Sequence, residues 1–184
     1  TRFHYDAGNR LTRINYVDGS HTDQFYDEGT NGPGHLTRIE ERAADGSLLR
    51  ATRYTYDAQG RILTDTRQVA ARSTTVQYQY TNGRLTTMTY PSGRQLIYTQ
   101  DANNRVANIA LKENGIKTDL VYYATYMPFD GRLVSYTNSQ NQSTTRSFDN
   151  YGRITGYTLS GRKPVLTWDD ASRITLTSDS TGST

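Results

Sequence analysis

Five aspartates, Asp6, Asp57, Asp101, Asp149 and Asp169, each stand four residues before an arginine, respectively Arg10, Arg61, Arg105, Arg153 and Arg173. A ring comes directly before four of them, as Tyr5, Tyr56, Phe148 and Trp168. Carboxylates at this density suggest glycoside hydrolysis, which needs two carboxyl groups about 5–10 Å apart. The arginines suggest phosphate capture. Neither chemistry fits. An active site is singular, whereas this set recurs along the whole chain. The adjacent Asp169 and Asp170 would point to opposite faces of a strand, and no basic run or glycine-rich phosphate loop accompanies the arginines.

Other chemistry is equally thin. The chain has no cysteine, which excludes disulfides, Cys-ligated zinc and thiol nucleophiles. His4, His21 and His35 are too scattered for a close-spaced metal motif or a triad. No catalytic, cofactor-binding or metal residue is therefore assigned, and the chain reads as non-enzymatic. The repeated aspartates have a structural use instead. A carboxylate at the first position of a turn accepts backbone N–H groups two residues on, and an arginine four positions later is placed for local pairing. The 15 tyrosines could stack on sugar rings, but their regular recurrence favours cross-strand ladders.

Aligning the copies on the basic residue gives Arg10, His35, Arg61, Arg84, Arg105, Arg132, Arg153 and Arg173. Before these stand Asn9, Gly34, Gly60, Gly83, Asn104, Gly131, Gly152 and Ser172, and all but Ser172 are types that tolerate positive φ. After each comes an aliphatic residue that opens a return strand. The next apolar residue often falls three positions later, as in Leu11 with Ile14, Leu36 with Ile39 and Leu85 with Met88. That spacing departs from strict alternation and reads as a bulge or as two-sided packing. Further turns at Asp18 and Gly19, Asp45 and Gly46, Pro91 to Gly93, Asn114 and Gly115, and Gly161 divide each unit into two strands. The stretches Arg67–Thr75 and Ser139–Gln142 turn without glycine or proline. The pattern predicts an all-β antiparallel meander of repeated hairpins, with about sixteen strands of roughly seven to nine residues.

Composition agrees with a repeat protein. The hydrophobic content of 34%, against about 45–50% for ordinary globular domains, implies a thin or shared core. No apolar run is long enough to span a bilayer as a helix. The net charge of +3 gives little reason to expect a nucleic-acid partner. The start at Thr1 reads as a boundary within a longer protein. One glycosylation sequon, Asn141–Ser143, carries no weight in a chain this rich in Asn, Ser and Thr.

The unit of ring, Asp, two variable residues, Gly, Arg and Leu or Ile resembles the signature of the rearrangement hot spot (RHS) or YD-repeat family. It is complete from Tyr56 to Ile62 and from Phe148 to Ile154 and degenerate elsewhere. His35 stands in for Arg, and Thr81 stands in for Asp in the copy before Gly83 and Arg84. The resemblance covers essentially the whole chain and implies a single array, residues 1–184, of about eight degenerate repeats forming part of a curved YD-repeat shell. It further implies that the bacterial shell encloses a C-terminal toxin or cargo of the same parent, secreted or delivered to a target cell. The implied partners are the remaining repeats and that cargo. Surface glycans are a second candidate, through an adhesion module, and exposed strand edges invite self-association. No cofactor is implied. The family's Asp/Pro-rich self-cleaving segment finds no Asp-Pro pair here.

Overall fold

The structure, a computed structural model, describes residues 1–158 and 161–179. The last residues of the expected 1–184 array, 180–184, lie outside the described residues. The chain forms two compact units, Thr1–Gln95 and Leu96–Thr184.

The first unit carries β1 (Arg2–Tyr5), β2 (Leu11–Asn15), β3 (His21–Tyr26), β4 (Leu36–Arg42), β5 (Leu48–Tyr56), β6 (Ile62–Val69), β7 (Arg72–Thr81) and β8 (Arg84–Thr89). With β9 (Gln95–Gln100) the second begins, followed by β10 (Val106–Glu113), β11 (Ile116–Tyr126), β12 (Leu133–Asn138), β13 (Ser143–Phe148), β14 (Ile154–Tyr157), β15 (Pro164–Trp168) and β16 (Ile174–Asp179). Within each unit the strands follow chain order and pair antiparallel with their sequence neighbours. The expected all-β meander and its strand number are what is found. The lengths spread further than predicted, from 4 residues in β1 to 11 in β11, because bulges and turns of unequal size alter where pairing stops.

The three-residue apolar spacing has one cause. In β1–β2, His4 faces Arg13 but Tyr5 faces Leu11, so Thr12 is an extra, unpaired residue. Thr37, Leu63, Thr86 and Thr155 are left over in the same way. A bulge inserts one residue into a period of two. Residues three apart across it therefore return to one face. Leu11 and Ile14 oppose Tyr5 and Phe3, and Leu85 and Met88 oppose Tyr80 and Tyr78. Of the two readings open in the sequence, the bulge is the one observed.

One face of the first unit is thus a ladder of Tyr, Leu, Ile and Met, mostly half-buried. The other face is polar. There Arg13, Asp23, Glu40 and Ala51 lie in one cross-strand row. Asp23 and Glu40 are buried beneath the arginines that pair with them. Ala51 and Ala110 are the buried apolar residues among those described, and no large side chain is fully buried. The core is as thin as the composition requires.

The turns without glycine are explained by tight geometry. Val69 faces Arg72 directly, so Ala70 and Ala71 form a two-residue turn with Ala70 at φ 51°. In the other, Asn138 accepts from the backbone N–H groups of Gln140 and Gln142, and Asn141 takes φ 60°.

Candidate functional site: a ladder of Asp, Arg and aromatic side chains

At Asp6 one carboxylate oxygen accepts from the backbone N–H of Gly8 and of Arg10, both at 2.9 Å, and the other accepts from Arg10 Nε at 2.7 Å. The backbone closes beneath it, with the Asp6 N–H donating to the Arg10 carbonyl and the Asn9 N–H to that of Asp6. Asp57 with Arg61, Asp101 with Arg105 and Asp149 with Arg153 repeat this arrangement, and Asp169 with Arg173 repeats its arginine contacts. The closure needs a left-handed residue before each anchor. All eight anchors have one, including Ser172 at φ 60°, which residue type alone did not suggest.

These contacts hold all five carboxyls below the usual carboxylate range. For Asp6, Asp101 and Asp169 the largest cause is donation from the arginine's backbone. For Asp57 and Asp149 partial burial is largest and pushes upward, but the arginine's side-chain and backbone bonds together outweigh it.

Five of the anchor arginines also reach across to the next repeat. The Arg10 guanidinium lies 4.5 Å from the Tyr26 ring centre, Arg61 lies 4.6 Å from Tyr80, Arg105 4.8 Å from Tyr126, Arg132 4.8 Å from Phe148, and Arg153 5.5 Å from Trp168. A flat delocalised cation over a ring face is a favourable pairing. His35 meets the same demand without a guanidinium. Its ring stacks on Tyr56 at 4.5 Å, with the planes 20° apart.

The ring answers with its polar tip. Tyr26 donates to the Leu11 carbonyl at 2.9 Å, Tyr56 to Leu36 at 2.5 Å, Tyr80 to Ile62 at 3.0 Å, Tyr126 to Val106 at 2.6 Å, and the Trp168 indole N–H to Ile154 at 2.8 Å. The acceptor is always the aliphatic residue after the anchor. Phe148 has no such donor, and Arg146 Nη1 reaches the Leu133 carbonyl in its place, at 3.4 Å. Several arginines further donate to the next turn, Arg105 to the Met127 carbonyl, Arg132 to that of Gly152 and Arg153 to that of Asp169.

A common register accompanies this clasp. The residue two after the aliphatic faces the residue three before the ring, as Arg13 with Asp23, Arg38 with Arg53, Thr64 with Gln77, Ser135 with Thr145 and Gly156 with Val165. In β11 a bulge interrupts the rule, yet the same positions meet, since Asn108 Oδ1 accepts from the Tyr123 N–H.

Besides His35, whose longer turn is closed by the Asp27 N–H donating to the His35 carbonyl, two anchors are built differently. Asp130 sits two residues before Arg132 in a longer turn and binds its N–H and guanidinium. Gly83 and Arg84 close a two-residue turn in which Asn82 and Gly83 both have positive φ, so Thr81 does not have to act as an aspartate. Sequence reading missed Tyr26, Tyr80 and Tyr126 as members of the ladder, and Asp27 as the partner of Arg10. The signal was a ring just before each turn. Nothing in the sequence says that its partner lies in the preceding repeat.

Hairpins laid side by side and clasped through their turns define an all-β repeat protein. No family model and no curated protein matches the chain. Solved structures do. It is similar to TcdB2-TccC3 without its hypervariable C-terminal region, at 14% identity over 97% of this chain with TM-score 0.70. It is also similar to a Photorhabdus luminescens Tc holotoxin pore carrying a TccC3 variant, at 14% identity over 99% with TM-score 0.71, and to TcdB2-TccC3-Cdc42, at 15% over 99% with TM-score 0.70. The chain spans 11% of the length of each. The fold is therefore shared with these toxin-complex chains, in keeping with the RHS/YD-repeat resemblance.

Proposed function

We propose that this chain is a structural, non-catalytic wall segment, a single array of about eight YD repeats within a larger β-shell that encloses a C-terminal toxin or cargo of the same parent. The observation that carries the reading is the fold shared along nearly the whole chain with toxin-complex proteins. The inter-repeat clasp supports it, because a wall needs each hairpin fixed to the next more than it needs a reactive centre. Its function is exclusion, with a hydrogen-bonded sheet keeping the cargo from solvent and host proteins until the shell opens. Its partners in this reading are the remaining repeats and the cargo, and its setting is a secreted or delivered bacterial toxin. The working residues are those of the ladder, from Tyr5, Asp6 and Arg10 to Trp168, Asp169 and Arg173.

Cryo-electron microscopy of the full-length parent tests this. A wall built from these hairpins around internal density supports the proposal, and an open or solid array overturns it. A second reading, a glycan-binding adhesion module, draws on the exposed rings of Tyr123 and Tyr151. Tyr123 also holds φ 56°, a costly conformation for a bulky residue. Loss of glycan-array binding on Tyr123→Ala would favour that reading, and an array blank for the unmodified chain would remove it.

A further inference from the structure

The apolar ladder of the first unit is interrupted at Asp65. The fourth residue after the anchor is Ile14, Ile39, Met88 or Ile109 in four other repeats, but after Arg61 it is Asp65. Asp65 faces Tyr54 on one side and Val76 on the other, so a carboxylate stands where the face is otherwise aromatic and aliphatic. Its side chain is 13% exposed and accepts from Arg67 Nε at 3.3 Å and Nη2 at 3.0 Å. The Arg67 side chain is 70% exposed, and an ion pair so open to water adds little to stability. Asp65 thus breaks the repeat pattern without a compensating gain, as residues at functional sites do.

Asp65, Arg67, Val76, Tyr78, Met88 and Tyr90 line an open groove of about 320 Å³, within the range of small-ligand sites. The ladder rings Tyr56 and Tyr80 direct their hydroxyls to the Leu36 and Ile62 carbonyls. Tyr54, Tyr78 and Tyr90 make no such bond among the described residues, and their hydroxyls face water, since no buried polar side-chain atom lacks a partner. The charges of Asp65 and Arg67 cancel, so the groove suits a neutral ligand better than an ion. A purely apolar ligand would strip water from the pair without replacing it. We infer that this groove binds a pyranose sugar, a neutral polyol with one apolar face. Its C–H face stacks on the Tyr78 or Tyr90 ring, while adjacent hydroxyls donate to Asp65 and accept from Arg67. A carboxylate offers about four acceptor positions and a guanidinium five donors. The pair itself uses two of each, which leaves both with capacity for the sugar. The site is separate from Tyr123 and Tyr151 and rests neither on an adhesion role nor on an enclosed cargo.

Saturation-transfer NMR on this chain with cellobiose, maltose and lactose, each at about 5 mM to reveal a Kd near about 1 mM, tests the site. At least one of the three is expected to receive saturation on its ring C–H protons, and its absence from all three overturns the proposal. Asp65→Ile installs the residue type of the other repeats. It should abolish the signal while leaving the urea midpoint unchanged or higher. A retained signal overturns the site, and so does a fallen midpoint, which would make the pair a structural brace. Asp65→Asn keeps the shape of the side chain and removes its charge, and it should weaken binding about tenfold. Tyr123→Ala should leave binding unchanged. A signal lost in Tyr123→Ala and kept in Asp65→Asn would put the sugar at the other ring and overturn the assignment.

Discussion

In several hairpins the near and far turns share a backbone and differ in side chains. At the near end Asp6 donates its N–H to the Arg10 carbonyl, and Asn9 donates to Asp6. At the far end Tyr16 does the same with Ser20, and Gly19 with Tyr16, and Ala43 to Ser47 and Tyr90 to Arg94 follow suit. The far turns at Asp18 and Asp45 place the carboxylate at the third position, where it accepts from Ser20 and Ser47 and the turn closes on itself. The near turns place it at the first position with arginine at the fifth, and the arginine then reaches the neighbouring repeat. Reversal of the chain needs only the five-residue backbone frame. Lateral cohesion needs the added side chains. Substitutions of the same kind at the two ends should therefore differ.

The largest effect expected is of acid. The near carboxyls sit below their usual values and so bind protons less readily than in the unfolded chain, where aspartate titrates near about 3.9. Stability is then fully present above about pH 4 and is lost as pH falls through the lowered folded values. The melting temperature should be nearly flat from about pH 5 to 8 and drop steeply from about pH 4 to 2. A flat profile down to about pH 2 would detach the carboxyls from stability.

Next comes Gly60→Ala against Gly46→Ala. Both glycines have positive φ, +76° and +84°. An added Cβ at Gly46 meets nothing, whereas at Gly60 it comes within 2.9 Å of the His35 ring. Left-handed strain alone costs about 1 kcal/mol at Gly46. Displacing the His35 ring from Tyr56 should bring the loss at Gly60 to about 2–3 kcal/mol, measured by urea unfolding. Equal losses would mean that the stacked pair adds nothing.

Tyr80→Phe removes the donor to the Ile62 carbonyl and should cost about 1 kcal/mol. Tyr16→Phe removes only a 3.4 Å contact with Thr22 at the far end and should register near zero in the same measurement. The smallest difference expected is for Arg61→Lys, which keeps the charge but loses the planar fork over Tyr80. A loss of about 0.5 kcal/mol is expected, against none for Arg72→Lys at the Val69–Arg72 turn.

Much of this was legible in the sequence because it is local. An aspartate, a residue tolerant of positive φ and an arginine within five positions close a turn by short-range hydrogen bonds, whatever lies around them. The spacing of Leu11 and Ile14 narrowed the choice to a bulge or two-sided packing, and strand pairing decided for the bulge. Ser172 shows the limit even there, since closure imposed the left-handed conformation on a residue whose type did not suggest it. His35 reads in the sequence only as a replacement for Arg, and the packed turn shows its flat ring standing where a guanidinium stands in other repeats.

The rest was decided by pairing between strands distant in sequence. Tyr80 gives no sign in the chain that its hydroxyl belongs to the Ile62 carbonyl, because that depends on the register of β6 on β7 and on the bulge at Leu63. Arg146 could not be foreseen as the substitute for Phe148's missing hydroxyl, because its reach to Leu133 exists only once β13 lies beside β12. Composition determined a β-rich chain with a thin core, and turn chemistry determined where it reverses. Which face is apolar and which arginine covers which ring were settled only when the hairpins were set side by side. Those contacts depend on through-space register, which no local residue pattern encodes.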